Sequence, residues 1–201
     1  LLLLAKLEAG RDSLEFHPVH VDEVLLSVVA RLQKVAKTKS VNLTTNFSTE
    51  GEGHEFQVIL DGDEELIACM VENIVENAIK YSPENSQVDV QLISSQDTVS
   101  IVVSDQGRGI PPEQRERIFE RFHRHEGSTL GASGFGLGLS IAMEIAELHG
   151  GTIRIMDGPD GKGTRMRIDL PRDAQGNYRL QTQRFGLASI MSRRFRSRAQ
   201  G

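Results

Sequence analysis

The stretch ENIVENAIKY, Glu72 to Tyr81, decides how this chain is read. Asn73, Asn77 and Lys80 follow one another at helical neighbour spacing, and Tyr81 stands four residues after Asn77. On a helix, two side-chain amides, an ammonium and a phenol therefore share nearly one stripe. Met70, Val71, Ile74 and Ala78 supply an apolar flank beside it. Two readings fit: an amphipathic helix with an ordinary polar face, or a helix that aims oxygen ligands and a cation at a metal ion and a phosphate chain. The surrounding sequence separates them.

Asp63 is placed to cap this helix, Glu64 and Glu65 suit the positive end of its dipole, and Pro83 stops it. Upstream, Val21, Val24, Leu25, Val28, Val29, Leu32 and Val35 trace a stripe of period 3.6, which predicts a second helix. Val41 to Phe47 and Glu55 to Leu60 read as strands, and Leu1 to Gly10, LLLLAKLEAG, as the end of a further helix. Downstream, Val88 to Ile93 and Val99 to Val103 form a hairpin pattern around SSQD. A Gly and Pro loop, a short helix over Glu113 to Phe119 and an irregular loop over 123–133 follow. A helix over Leu137 to Leu148 and a strand pair, Thr152 to Met156 and Thr164 to Leu170, complete the pattern.

The 201 residues are 38% hydrophobic and 5% aromatic with no Trp, which suits a soluble α/β domain. No apolar run approaches the roughly 20 residues that cross a bilayer. No signal peptide is read, and a chain beginning at Leu1 is expected to be a fragment of a longer protein. The single Cys69 leaves no internal disulfide and is expected to be a buried structural cysteine in a reducing compartment. Arg172 to Gly201 hold seven Arg and one acid, a charge of +6, which leaves −11 of the net −5 for the rest. An acidic body does not point to nucleic acid as a partner.

Three further segments carry chemistry. In DQGRGI, Asp105 to Ile110, a carboxylate at a strand end can accept from the exocyclic amine of a base, two glycines allow close backbone approach, and Ile110 can pack on the ring. The alternative is an ordinary Asp and Gly turn. In SGFGLGLSIA, Ser133 to Ala142, alternating Gly134, Gly136 and Gly138 bare backbone N–H groups at a helix start, a ready anion site. This run follows a loop and not a strand, which argues against a dinucleotide fold. In IFERFHR, Phe119 and Phe122 share a face, while Arg121 and Arg124 either reach phosphate or are solvated surface groups.

In this order the segments closely resemble the ATP-binding domain of sensor histidine kinases, of the GHKL or Bergerat superfamily. ENIVENAIKY is similar to the asparagine box, DQGRGI to the first glycine box, IFERFHR to the phenylalanine box and GFGLGL to the second. The resemblance implies an α+β fold, a two-layer sandwich in which a mixed, mostly antiparallel sheet is covered on one face by three helices. It implies an end of a dimerisation and phosphoacceptor helix with linker over 1–15, the ATP-binding domain over 16–171 and a basic tail over 172–201.

Carried over by position, it implies Asn77 as the Mg²⁺ ligand and Asn73 as its companion, with Lys80 and Tyr81 against phosphate and nucleoside. Asp105 would accept from the adenine amine, with Gly107, Gly109 and Ile110 beside the purine. Gly134, Phe135, Gly136, Leu137, Gly138 and Leu139 would shape the lid and the phosphate cradle. Thr164 would add a hydroxyl near the adenine, and Arg124 would assist transfer. ATP and Mg²⁺ are the implied cofactors. Gyrase-like and chaperone relatives carry a Glu base where Asn73 stands. An amide cannot take a proton from water, so the resemblance implies slow hydrolysis and transfer to another nucleophile.

None of His17, His20, His54, His123, His125 or His149 is followed by an acid ahead of a helical hairpin, so the acceptor histidine is expected upstream. The implied function is phosphoryl transfer from Mg-ATP to that histidine for relay to a response regulator. The implied partners are its own or a partner protomer's phosphoacceptor domain, within a homodimer. The alternatives are a serine kinase of the anti-sigma type and a non-catalytic nucleotide sensor. The expected location is cytoplasmic, with room for a membrane anchor elsewhere in the full-length protein. Phe185, Leu187, Ile190, Met191 and Phe195 could side a basic helix for membrane contact, or the tail is disordered.

Overall fold

The computed structural model describes residue 10 and residues 14–50, 58–120 and 137–173. In chain order these form β1 (His17–His20), α1 (Val21–Thr38), β2 (Asn42–Thr49), β3 (Ile59–Gly62) and α2 (Glu64–Tyr81). Then come β4 (Gln87–Ser94), β5 (Thr98–Ser104), α3 (Gly138–Leu148), β6 (Thr152–Asp157) and β7 (Thr164–Pro171).

The main sheet runs β2-β4-β5-β7-β6; β2 is parallel to β4 and the other neighbours are antiparallel. Strand alternation sorts its two faces. Val88, Val90 and Leu92, Val99, Ile101 and Val103, and Met166, Ile168 and Leu170 all point into the core. The three helices cover this face with Val24, Leu25, Val28 and Leu32, with Leu66, Ile67, Met70, Val71 and Ile74, and with Ala142, Ile145 and Ala146. Each such Val, Leu, Ile or Met side chain contributes roughly 1.5–3 kcal/mol on burial. The opposite face is a polar lattice. Thr44 and Asn46 donate to Asp89 at 2.8 and 2.7 Å, and Ser100, Arg154 and Arg167 converge on Asp169.

The expected two-layer fold is present, with four local differences. A separate two-stranded ribbon pairs β1 with β3, packing Val19 opposite Leu60, both buried. No strand was expected at His17–His20, and β3 begins only at Ile59, since residues 51–57 lie outside those described. In place of one short helix over Glu113 to Phe119, two 3-10 turns stand at Pro112–Gln114 and Arg117–Phe119. Val35, expected on the buried stripe of α1, is 50% exposed, and Ala36 takes the inward position. The lead-in at residues 1–9 lies outside the described residues. Arg172, just after the expected domain end, is stitched to the body: its guanidinium donates to the carbonyls of Ser95 and Ile59 at 2.9 and 2.8 Å and to the Ser94 hydroxyl at 2.6 Å.

Candidate functional site

Helix α2 is fixed at both ends. The Asp63 side chain accepts from the Leu66 N–H at 3.1 Å, capping the first turn. At the far end Lys39, from the end of α1, donates its ammonium to the carbonyl of Ile79 at 2.8 Å and to that of Lys80. A cation on the last carbonyls complements the helix dipole. Burial by these groups holds the Lys39 pKa below the ordinary lysine value, with Glu84 opposing that shift. A third tie is His149, fully buried at the end of α3. Its Nε2 accepts from the Asp63 N–H at 3.0 Å, and its Nδ1 lies 2.8 Å from the Ile145 carbonyl. Because Nε2 must be the acceptor, Nδ1 carries the proton and the ring is neutral.

Along this rigid helix, Asn73, Asn77 and Lys80 are half-buried and Tyr81 is 42% exposed. Asn73 Nδ2 donates to the Cys69 carbonyl at 2.9 Å and to its sulfur at 3.3 Å. A carbonyl can only accept, so the amide is oriented with Oδ1 outward. That oxygen faces the start of α3: a Cβ on Gly138 would come within 2.7 Å of it. Cys69 is half-buried and not sealed in the core as expected, and its thiol pKa is raised by burial and then by Glu72. Asn77 makes no hydrogen bond among the described residues, which leaves its amide oxygen available to a ligand. Glu72 turns away to an ion pair with Arg31 on α1 at 3.3 Å, and Glu76 is exposed.

The loop after β5 closes on the end of α2. Asp105 is 7% exposed; its Oδ1 accepts from the N–H of Gly107 at 2.8 Å and of Thr164 at 3.1 Å. Burial raises its carboxyl pKa above the ordinary 3.8, against the pull of the hydrogen bonds from Gly107 and from the Thr164 backbone and hydroxyl. Gly107 sits so close to the Tyr81 carbonyl that a Cβ would lie 2.7 Å from it. On the other side, Gly163 has φ +72 and a Cβ there would be 1.9 Å from the Asp105 carbonyl. These two positions require glycine. Ile110 is partly buried against the core, and its carbonyl accepts from Arg115 Nε at 3.0 Å.

The structure thus brings Gly138 to Asn73 at the middle of α2, and Gly107, held with Thr164 by Asp105, to Tyr81 at its end. Leu137 and Leu139 are half-buried at the start of α3, whose first turn has no side-chain cap. Arg124, Gly134, Phe135 and Gly136 lie outside the described residues, as do Arg121, Phe122, His123 and His125. Among the described residues no three His, Cys, Asp or Glu side chains gather to hold a metal, and no helix is long and apolar enough to cross a membrane. Sequence reasoning passed over Lys39 and the strut role of His149. The signal for Lys39 was a cation at the end of one helix when a second helix needed a cap, and for His149 it was a histidine inside an apolar helix end.

A family profile described as "Histidine kinase-, DNA gyrase B-, and HSP90-like ATPase" matches residues 62–174. The sensor protein kinase PmrB of Pseudomonas aeruginosa is 33% identical over 172 residues, which are 86% of this chain and 34% of that protein. Among solved structures, the mycobacterial sensor histidine kinase MprB superposes with a TM-score of 0.67 at 29% identity, covering 79% of this chain and 99% of that one. Full-length ShkA in complex with AMPPNP superposes with a TM-score of 0.68 at 26% identity, covering 85% of this chain and 34% of that one. The chain spans 34%, 43% and 18% of the length of three curated relatives. Fold, site geometry and these likenesses together show that the chain belongs to the histidine kinase-, DNA gyrase B- and HSP90-like ATPase family.

Proposed function

We propose that residues 16–171 hold Mg²⁺-ATP and present its γ-phosphoryl group to a histidine on a preceding dimerisation and phosphoacceptor domain, as part of a two-component sensor kinase. The observation that carries this reading is the convergence on α2: the loop of Asp105 seats against the Tyr81 carbonyl at one end, and the first turn of α3 seats against Asn73 further back. Asp105 accepts from the adenine amine while Tyr81 flanks the nucleoside. Asn77 offers a hard oxygen to the metal, Lys80 pairs with phosphate, and the uncapped start of α3 with Gly138 offers N–H groups to the same anion. The donor set fits Mg²⁺, which takes few protein ligands and keeps phosphate oxygens and waters; when bound, the ion neutralises phosphate charge.

Transfer breaks the bond from the γ-phosphorus to the bridging oxygen and forms a P–N bond to the imidazole, whose proton is released. The domain supplies positioning and charge, which is most of what phosphoryl transfer asks of a protein. Among the described residues α2 supplies no base for water: Asn73 is an amide tied to Cys69, Glu72 is tied to Arg31, and Glu76 is exposed. Intrinsic hydrolysis is therefore slow. ATP chemistry places the domain in the cytoplasm, and the acceptor domain, the response regulator and a homodimeric partner complete the system. The sensor kinases among its relatives favour this reading over a serine kinase of the anti-sigma type or a non-catalytic sensor.

Calorimetric titration of the 201-residue chain with ATP, with and without Mg²⁺, tests the assignment. Asn77→Ala should abolish the Mg²⁺-dependent part of binding, and retained Mg²⁺ dependence would refute the role given to Asn77.

A further inference from the structure

We infer that Arg108, the residue between the two glycines of the 105–110 loop, positions the nucleoside by holding the Tyr81 ring as a wall of the pocket. The inference rests on the nucleotide reading above. The Arg108 guanidinium carbon lies 5.7 Å from the centroid of the Tyr81 ring, and the Lys80 ammonium lies 5.5 Å from the same centroid. Both distances are inside the range in which a cation is drawn to the negative face of an aromatic ring.

Three observations make this contact more than a surface encounter. First, the root of Arg108 is fixed: Gly107 is lodged against the Tyr81 carbonyl, Gly109 has φ +74 with a Cβ position 3.1 Å from the Gly163 carbonyl, and Asp105 anchors the loop through Gly107 and Thr164. Second, among the described residues Arg108 has no hydrogen bond or ion pair, so the ring contact is its engagement with the body of the domain. Third, Tyr81 closes α2 as a residue 42% exposed, and its phenol makes no hydrogen bond among the described residues. The two flanking cations are then what limits its rotamers. A side chain already ordered in the free protein loses less entropy when a ligand stacks or packs against it.

Arg108 therefore acts through Tyr81 and not on phosphate. Its removal should weaken ATP, ADP and adenosine by one common factor, about two- to five-fold for an exposed cation–π contact. Calorimetric titration of the 201-residue chain and its Arg108→Ala, Arg108→Lys, Tyr81→Leu and doubly substituted forms reads this out. The expected results are an equal loss for the three ligands, partial retention by Arg108→Lys, and a double variant no weaker than Tyr81→Leu alone. A loss that grows with phosphate number and disappears for adenosine would overturn the inference in favour of direct phosphate contact. Additive losses in the double variant, or unchanged affinity in Arg108→Ala, would overturn it too. Wild-type protein that binds no ATP would remove both this inference and the nucleotide reading, whereas wild-type binding with an unaffected Arg108→Ala removes the inference alone.

Discussion

Asp105→Asn separates recognition from folding in one substitution. In the wild type, Oδ1 accepts from two backbone N–H groups, at 2.8 Å from Gly107 and 3.1 Å from Thr164. An asparagine must keep its oxygen there, since an amide nitrogen would face two donors. Its NH₂ then points where the carboxylate offered its second oxygen, and a donor meets the donor of the adenine amine. Loss of a hydrogen bond to a charged group costs about 1.5–3 kcal/mol. At 1.4 kcal/mol per factor of ten, ATP affinity should fall by about 10- to 150-fold.

Stability should move the other way or not at all. Burial raises the Asp105 pKa above its ordinary 3.8, so folding disfavours the ionised form. The stability contribution of this group is full below the ordinary value and is lost as pH rises through the folded value. At neutral pH the variant escapes that loss, and its Tm should match or exceed the wild type. ATP titration at several pH values, with thermal melts beside it, tests both halves. Wild-type affinity should weaken as pH falls into the Asp105 titration, and the variant should lack that step. Affinity within two-fold of wild type would remove Asp105 as the base reader, and a Tm drop of several degrees would make the carboxylate a structural group instead.

Gly138→Ala should leave the melting temperature nearly unchanged, because alanine favours a helix by up to about 1 kcal/mol over glycine. It should still lower ATP affinity several-fold, since its Cβ would stand 2.7 Å from Asn73 Oδ1 and push the first turn of α3 off the site; unimpaired titration would refute that close approach. His149→Phe removes the acceptor for Asp63 N–H and one of two donors to the Ile145 carbonyl. The Ile145 carbonyl keeps the backbone N–H of residue 149, so the loss falls on the Asp63 N–H; a part-buried donor left without its acceptor costs about 1–3 kcal/mol, so urea denaturation should show a midpoint below wild type. A midpoint equal to wild type would remove the strut.

Much of the fold could be read locally. Helices α1 and α2 announce themselves because one buried stripe repeats over several turns, and the β4–β5 hairpin because alternation flanks a polar turn. β1 carries one buried residue in four, too few to alternate, and exists because β3 pairs with it across some forty residues. The same limit applies to the site. Asn73, Asn77, Lys80 and Asp105 could be named as candidates from side-chain chemistry at fixed spacing. Arg108 over Tyr81, Lys39 on the α2 carbonyls and the Asn73–Cys69 clamp depend on which surfaces the fold presses together. Cys69 is not sealed, because it lines a cleft between Ser27 and Arg31 of α1 and Glu65 and Glu72 of α2 that an apolar sequence neighbourhood does not report.

The parallel pairing of β2 with β4 bears on the order in which the domain folds. The segment between these strands contains all of α2, so the helix that carries Asn73, Asn77, Lys80 and Tyr81 is the crossover of a long closed loop. Closing such a loop is entropically expensive and rewards no local contact, which makes it a slow event in folding. The register is then locked by Thr44 and Asn46 on Asp89, because a slip of one residue would turn Leu43 outward and those polar groups inward. A nascent chain is therefore expected to seat α2 and to pair its edge strand β2 with β4 together, late in folding.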